Sequence, residues 1–365
     1  MTVAHLGIIG AGTMGSGIAI ASAANGLTVR LVDANTDATT KAKAAARSFY
    51  GRAVDKGRMA DTTAKAAEAR IEPATELSEL ADCDLVIEAV FEDFDLKAQV
   101  FEDLAKIVRP GCLIATNTSC LRVSDLQRHV THPERFLGLH YFSPAQINPI
   151  VEVVRGESTT PETFDAAVAF CKATGKDPLA CKDQFGFAIN RFFCPYTNEA
   201  ARALDDGLGT TAEIDVVAKD VLGAAAGPFL VMNLIKPRIN LHAIRNLGPL
   251  GSFYAPALSM AATGDADQDW SIGEAGTIPP ERYGAIADRL LAGVFLPTLQ
   301  ELDEAVAVPA DIDHGAREAL KLGNPPCALM DQLGEAEVAR ILAPALEAHD
   351  LETPASLRQV GRLLA

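Results

Sequence analysis

Basic residues are scarce in this sequence. Its 365 residues include 32 Lys and Arg against 48 Asp and Glu, a formal net charge of −16 at pH 7. A chain of this charge repels the phosphate backbone of nucleic acids and the surface of anionic membranes, so we expect neither as a partner. An anionic ligand would have to bind at a local basic patch.

Closely spaced cysteines are also missing. The seven cysteines are odd in number, widely spread and contain no C-x-x-C pair. This pattern suggests neither a disulfide framework nor a zinc site, and we expect no metal site. A cytoplasmic protein is the simpler interpretation. Because Met1 to His5 include no Lys or Arg, we expect no signal peptide.

One run without charge, residues 6–24, approaches the length of a membrane span. Five of its residues are glycines, which is unusual for a membrane helix. We interpret the run as a soluble strand, a turn and a helix.

Short apolar runs alternate with helical patterns in the N-terminal half. The strand-like runs are His5–Ile9, Thr28–Val32, Asp84–Ala89, Cys112–Thr116 and Phe136–Phe142. Strands that alternate with helices predict crossover connections and a parallel sheet. An insert rich in Ala, Lys and Arg, at about 37–70, predicts a helical hairpin that projects from the sheet. At roughly 150 residues per domain, the length suggests two or three domains.

After about Asp183 the strand signals fade, and 186–204, 212–222 and 229–247 read as helices. Five positions then recur at offsets of 102 or 98 residues: Pro195, Glu199, Ile214, Asp215 and Pro228 correspond to Pro297, Glu301, Ile312, Asp313 and Pro326. We interpret this recurrence as a duplicated helical domain, with domains at 1–183, 184–278 and 279–365. Residues 248–280, rich in Gly, Pro, Ser and Asp, predict a long connection with little regular structure.

A glycine-rich motif, G-A-G-T-M-G, follows the first strand and opens a helix. Such glycines allow a tight turn, the close approach of a pyrophosphate and close helix packing. Asp33 follows at the end of the second strand, where a carboxylate can bind both ribose hydroxyls and repels a ribose phosphate. We therefore predict NAD as the cofactor, with a purely structural turn as the alternative. The candidate cofactor residues here are Gly10, Gly12, Thr13, Met14, Gly15 and Asp33.

Four further motifs occur in order: N-T-S at 117–119, G-L-H-Y-F-S-P at 138–144, I-V-E-V-V at 150–154 and G-F-A-I-N-R at 186–191. Together they resemble the L-3-hydroxyacyl-CoA dehydrogenases, from Val3 to about Leu234. The duplicated helices resemble the dehydrogenase half of the multifunctional fatty-acid β-oxidation enzymes, without the crotonase-like half. The resemblance implies a doubly wound, Rossmann-type NAD domain followed by two related all-α domains. It implies the reversible, NAD-dependent oxidation of L-3-hydroxyacyl-CoA to 3-oxoacyl-CoA.

The resemblance also implies roles for individual residues. His140 would be the general base, Glu152 would orient its ring, and Ser119 and Asn190 would hydrogen-bond the reacting oxygen. Histidine suits the role independently, because its ordinary pKa lies near neutrality. The residues expected to contact the nicotinamide half of the cofactor are Ala89, Glu92, Lys97, Asn117 and Ser143; Ser143 stands where many family members have Asn.

Each of these residues also has a structural interpretation. His140 could be a hydrogen-bonded core histidine and Glu152 a solvated residue of an edge strand. Ser119 could cap a loop, and Asn190 could be a polar residue at a helix N-terminus. Glu92 and Lys97 could form an ion pair within one helix.

A basic patch lies within the helical insert. Residues 41–58 contain six basic residues and one acidic residue, a local charge of +5. Coenzyme A carries several phosphate charges and needs such a patch, and we take Arg52, Lys56 and Arg58 as candidates. The alternative is a solvated basic face of a helix.

Rival functions are of two classes. A dehydrogenase of a free 3-hydroxy acid, such as gulonate or carnitine, would use the same His and Glu without coenzyme A, and the basic insert argues against it. Enzymes related to 6-phosphogluconate dehydrogenase use a helical Lys base, which is absent before Asn190. A non-catalytic NAD-binding protein is expected to lack some of the four catalytic candidates, and all four are present.

Since single-function relatives dimerise through their helical domain, the second copy could occupy that surface; we expect a monomer or a homodimer.

Overall fold

The computed structural model describes residues 3–365, which fall into two compact units. One unit ends at Asp183, and the other spans Gln184–Ala365.

An eight-stranded sheet organises the first unit. Its strands are β1 (His5–Ile9), β2 (Thr28–Val32), β3 (Ile71–Ala74), β4 (Leu85–Glu88), β5 (Leu113–Thr116), β6 (Phe136–Tyr141), β7 (Ile150–Arg155) and β8 (Asp177–Lys182). Their spatial order is β3-β2-β1-β4-β5-β6-β7-β8, and every neighbouring pair is parallel except β6 and β7. The first six strands thus have the order of the Rossmann dinucleotide-binding fold. The helices of this unit are α1 (Thr13–Ala24), α2 (Thr36–Asp55), α3 (Asp61–Ala69), α4 (Phe94–Leu104), α5 (Val123–Gln127) and α6 (Pro161–Ala173).

All five predicted strands are present. β1 and β2 have the predicted bounds, and β4, β5 and β6 are shorter by one or two residues. β3 and β8 were not predicted, and a strand at β7 was expected only in the structural interpretation of Glu152, as an edge strand. Pro73 and Pro178 lie within β3 and β8, which form the two edges of the sheet, where a missing backbone N–H is tolerated. The sheet is also not wholly parallel, because β7 runs against β6.

The uncharged run near the N-terminus consists of β1, a turn and α1, as predicted. Most residues of both elements are buried, which explains the lack of charge. Within residues 3–365, no helix has the length and apolar character needed to cross a membrane.

The helical insert is the pair α2 and α3. Ala46, Tyr50 and Ala67 are buried, and the Tyr50 hydroxyl donates to the carbonyl of Ile20 in α1 at 2.7 Å. The predicted helical hairpin is confirmed. It packs against α1 instead of projecting from the sheet, because these three side chains belong to the same buried apolar cluster as residues of α1.

The second unit is helical, and one isolated bridge is its only β pairing among residues 184–365. Its helices are α7 (Asn190–Asp205), α8 (Thr211–Leu222), α9 (Pro228–Ile235), α10 (Pro237–Asn246), α11 (Leu258–Ala266), α12 (Pro280–Asp303), α13 (Pro309–Leu320), α14 (Pro326–Leu333) and α15 (Glu335–His349).

Two helix predictions and one loop prediction need correction. The helix predicted from Gly186 begins at Asn190, because Gly186 and Phe187 have positive φ angles of 81° and 50°. The single helix predicted over 229–247 is two helices, separated at Lys236, whose φ is 101° and which precedes a proline. The segment 248–280 contains α11 and two short 3-10 turns, so it is more regular than predicted.

The recurring residues occupy matching places. Pro195 lies inside α7 and Pro297 inside α12. Asp215 accepts hydrogen bonds from the first-turn N–H groups of α9, on Phe229 at 2.8 Å and Leu230 at 3.2 Å. Asp313 accepts from the equivalent groups of α14, on Cys327 at 2.8 Å and Ala328 at 2.9 Å. Such carboxylates stabilise a helix N-terminus by about 1 kcal/mol.

The two segments that carry the recurring residues also meet. The isolated antiparallel bridge joins Ala224 to Leu322, which are themselves 98 residues apart. The N–H of Gly323 donates to the carbonyl of Gly223 at 3.1 Å beside it. Both segments lie in one compact unit, and the duplication, with domains at 184–278 and 279–365, stays a prediction.

Candidate active site

The carboxyl ends of five strands carry the predicted cofactor residues. Gly10 follows β1, Asp33 follows β2, Ala89 follows β4, Asn117 follows β5 and Ser143 follows β6. The N–H groups of Gly10, Ala89 and Asn117 donate to the last residues of neighbouring strands, each at 2.8 Å. Open α/β sheets bind ligands outside the carboxyl ends of their strands, so these five residues lie where a cofactor is expected to bind.

The geometry of the turn between β1 and α1 gives a reason for each of its three glycines. Gly10 has a φ of 102°, and a Cβ there would lie 2.5 Å from the Ala89 carbonyl oxygen. A Cβ on Gly15 would lie 1.8 Å from the Gly10 carbonyl oxygen, whereas one on Gly12 would meet nothing within 4 Å. Packing therefore requires the first and third glycines, and the second leaves the backbone open to a ligand.

The N-terminus of α1 suits a pyrophosphate. Gly12 is its N-cap residue and provides no side-chain cap, and the first turn contains no acidic residue. Thr13 is exposed and Met14 half-buried in that turn. The N–H groups of such a helix end favour an anion.

Asp33 is held at the end of β2 by two backbone donors. The N–H of Ala11 donates to Oδ2 at 2.8 Å, and the N–H of Asn35 donates to Oδ1 at 2.9 Å. The first contact ties the carboxylate directly to the glycine turn. The residues present therefore fit the pyrophosphate and ribose of NAD.

His140 and Glu152 form a buried pair. They are direct partners in the antiparallel register of β6 and β7, so their side chains lie on the same face of the sheet. Nδ1 of His140 lies 2.6 Å from Oε2 of Glu152, and Glu152 is 0% exposed. The structure thus contradicts the interpretation of Glu152 as a solvated edge residue, because β7 is covered on both sides by β6 and β8.

An ion cluster lies beside the ends of β4 and β5, in which Glu88 and Lys97 are buried and Glu92 is half-buried. The Lys97 ammonium contacts Oε1 of Glu88 at 2.6 Å and Oε2 of Glu92 at 3.2 Å. Glu92 precedes α4, whose N-cap is Asp93, so the pair with Lys97 is not within one helix as the structural alternative proposed. Burial opposes the charge of Lys97, but the two carboxylates outweigh burial and raise its pKa.

The loop after β5 is organised by Glu92. Its Oε1 accepts from the Thr118 hydroxyl at 2.5 Å, the Ser119 N–H at 2.8 Å and the Cys120 N–H at 3.0 Å. Burial opposes this carboxylate, yet Lys97 and these donors together lower the pKa of Glu92. Asn117 is the first residue after β5. Its Oδ1 accepts from the N–H of Tyr141, next to His140, at 2.9 Å.

The remaining candidates lie in or just after other helices. Asn190 is the half-buried first residue of α7, in the second unit. Arg52, Lys56 and Arg58 are exposed near the end of α2. Two other basic residues of the patch have partners inside the first unit: Lys43 donates to the Ile71 carbonyl at 3.0 Å, and Arg47 donates to Glu68 at 2.9 Å.

Sequence reasoning missed Glu88. Its carboxylate is fully buried, and burial raises its pKa. It accepts from Lys97, from the Thr116 hydroxyl at 2.7 Å and from the Val90 N–H at 2.7 Å. The available signal was a carboxylate that directly ends the apolar run L-V-I-E, because such a residue needs a partner.

Two family models match the chain in succession. The 3-hydroxyacyl-CoA dehydrogenase NAD-binding domain matches residues 5–184, and the 3-hydroxyacyl-CoA dehydrogenase C-terminal domain matches residues 186–264. A probable 3-hydroxyacyl-CoA dehydrogenase of Caenorhabditis elegans is 40% identical over 228 residues, which are 61% of this chain and 74% of the relative. The chain belongs to the 3-hydroxyacyl-CoA dehydrogenase family.

Solved structures extend the similarity. The (S)-3-hydroxybutyryl-CoA dehydrogenase of Ralstonia eutropha is 32% identical, with a TM-score of 0.71 over 75% of this chain and 100% of its own. The 3-hydroxybutyryl-CoA dehydrogenase of Escherichia coli K12 is 24% identical, with a TM-score of 0.89 over 98% of both chains, and shows that the fold recurs along the whole length. The predicted family, the NAD cofactor and the class, an NAD-dependent 3-hydroxyacyl-CoA dehydrogenase, are confirmed.

Proposed function

We propose that the chain interconverts a short L-3-hydroxyacyl-CoA and its 3-oxoacyl-CoA, with His140 as the general base. The observation that carries this proposal is the buried pair of His140 and Glu152, 2.6 Å apart at the end of the sheet. A histidine whose Nδ1 is held by a carboxylate keeps its ring fixed, and Nε2 is then the nitrogen that takes the substrate's hydroxyl proton. Glu152 orients the ring and stabilises the imidazolium that forms.

NAD, when bound, supplies the hydride acceptor. The glycine turn and the N-terminus of α1 hold its pyrophosphate, and Asp33 holds its ribose hydroxyls. Ser119 and Asn190 donate to the reacting oxygen, where one well-placed donor is worth about 3 kcal/mol. The residues that hold the nicotinamide half are Ala89, Glu92, Lys97, Asn117 and Ser143.

Four-carbon acyl groups are the substrates we favour, because the relatives from R. eutropha and E. coli are named for 3-hydroxybutyryl-CoA. The reaction then belongs to the β-oxidation type. The seven cysteines are buried, and their spacing suggests no disulfide framework, which favours a reducing compartment such as the cytoplasm.

The test is the loss of NADH absorbance when acetoacetyl-CoA is added to the purified protein. We expect rapid oxidation with this thioester and NADH, slow oxidation with NADPH because of Asp33, and none with free acetoacetate. Equal rates with acetoacetate would favour the free-acid dehydrogenase instead. NADH binding without turnover on acyl-CoAs of any length would favour the non-catalytic alternative.

Coenzyme A recognition gives a second prediction. Replacing Arg52, Lys56 and Arg58 together by Ala is expected to raise the KM for acetoacetyl-CoA about tenfold, because three exposed charge contacts at roughly 0.5 kcal/mol each sum to one decade. The kcat should stay at the parental value. Steady-state kinetics at low salt measures both constants.

The control is the acetoacetyl thioester of pantetheine, which lacks the phosphates and should show the same KM in both proteins. Lys106→Ala, an exposed lysine outside the insert, is the matched variant and should leave both substrates unaffected. A parental KM for acetoacetyl-CoA in the triple variant would contradict the proposed patch.

A further inference from the structure

The cluster of Glu88, Lys97 and Glu92 is an unusual arrangement for a protein core. One ammonium serves two carboxylates, and the side chains of Glu88 and Lys97 are 0% and 1% exposed. Desolvating such groups costs more than burying apolar side chains of similar size. A role in stability alone therefore does not explain why the last position of β4 is a glutamate.

The contacts of the cluster form a chain that ends at a catalytic candidate. Glu88 is fixed by the Thr116 hydroxyl on β5 and by the Val90 N–H, and it contacts the Lys97 ammonium at 2.6 Å. Lys97 reaches Glu92, and Glu92 accepts from the backbone of Ser119 and Cys120. A displacement of Lys97 thus moves the carboxylate that orders the loop.

We propose that Glu88 is a positioning residue for the dehydrogenase reaction. From the end of β4 it holds the Lys97 ammonium in place, so that Lys97 and Glu92 fix the backbone of residues 118–120 and the orientation of Ser119. This inference rests on the proposed function, because the role of Ser119 belongs to it. In this proposal Glu88 acts through Lys97 and not by its own contact with substrate or cofactor.

The charged groups that face Lys97 define what a variant would change. They are Glu88 on β4 and Glu92 before α4; the neighbouring Thr116 hydroxyl and Val90 carbonyl are neutral. Both carboxylates raise the pKa of Lys97, against the effect of burial. Removing one of them lowers that pKa, so the ammonium is lost at a lower pH.

The first experiment compares Glu88→Gln with the parent. We expect kcat to fall about tenfold, the KM for acetoacetyl-CoA to change less than twofold, and the alkaline limb of the kcat profile to move to lower pH. Glu88→Asp keeps the charge but cannot span the same distance, so we expect a fall of about threefold with the limb unmoved. Asp84→Asn, a carboxylate at the opposite end of β4, is the matched control and should keep the parental kcat and profile.

Hydrogen exchange supplies a readout that needs no turnover. The amides of Ser119 and Cys120 should exchange faster in Glu88→Gln than in the parent and in Asp84→Asn. Unchanged exchange at these two amides overturns the proposal even if the parent proves inactive, in which case the proposed function has failed separately. A parental kcat in Glu88→Gln, or a loss of kcat with an unmoved alkaline limb, overturns it as well. If Glu88→Gln does not fold, a parental kcat in Glu88→Asp has the same effect.

Discussion

His140→Gln is expected to lower kcat by roughly 10²- to 10⁴-fold, the usual contribution of a positioned general base. Glutamine keeps a hydrogen-bonding group of similar length beside Glu152 but cannot hold the substrate proton. Because His140 is not among the residues proposed to hold the cofactor, the loss should appear in kcat while NADH still binds. Steady-state kinetics and NADH fluorescence titration measure the two quantities.

Glu152→Gln is the companion variant. It keeps the cross-strand contact with His140 but removes the charge that stabilises the imidazolium, so we expect a smaller loss, of roughly 10²-fold. The double variant should be little worse than His140→Gln alone, since residues that act as a unit are not additive. Near-parental kcat in His140→Gln would remove His140 from the mechanism.

Gly15→Ala is expected to abolish measurable NADH binding and to lower the free energy of unfolding by about 3 kcal/mol, the upper end of what overpacking costs. The new Cβ would lie 1.8 Å from the Gly10 carbonyl oxygen, so α1 must move away from the turn. Fluorescence titration with NADH and chemical denaturation check the two effects.

Gly12→Ala is the matched variant because its Cβ meets no protein atom within 4 Å. It should unfold at the parental denaturant concentration and yet bind NADH at least tenfold more weakly, since the methyl group enters the space expected for the pyrophosphate. Parental NADH affinity in Gly12→Ala would place the pyrophosphate elsewhere. Equal loss of stability in both variants would contradict the steric account of the turn.

Local chemistry decided which parts of the fold were predictable. The glycine turn, Asp33 and the two strands before them depend on residues close in sequence, and their bounds were predicted correctly. β3 and β8 were missed because Pro73 and Pro178 interrupt any strand pattern, and only their place at the sheet edges explains why proline is accepted. The break at Lys236 was missed although the proline after it disfavours helix at that residue.

The residues of the candidate site also differ in how far they could be predicted from the sequence. His140 and Glu152 were paired through the resemblance, and their contact depends on the reversal between β6 and β7, which the strand pattern did not predict. Glu88 was missed because its partners come from three separate elements, β5, the loop after β4 and α4. Such a cluster becomes visible only when the register of neighbouring strands is known.

The bridge between Ala224 and Leu322 has a thermodynamic consequence. It joins segments that lie 98 residues apart in the sequence, and beside it the N–H groups of Gly323 and Asn324 donate to the carbonyls of Gly223 and Leu222. If the two segments were separate chains, the fraction associated through such a contact would fall on dilution. Here the two segments belong to one polypeptide and meet at a fixed effective concentration, so dilution does not weaken their association.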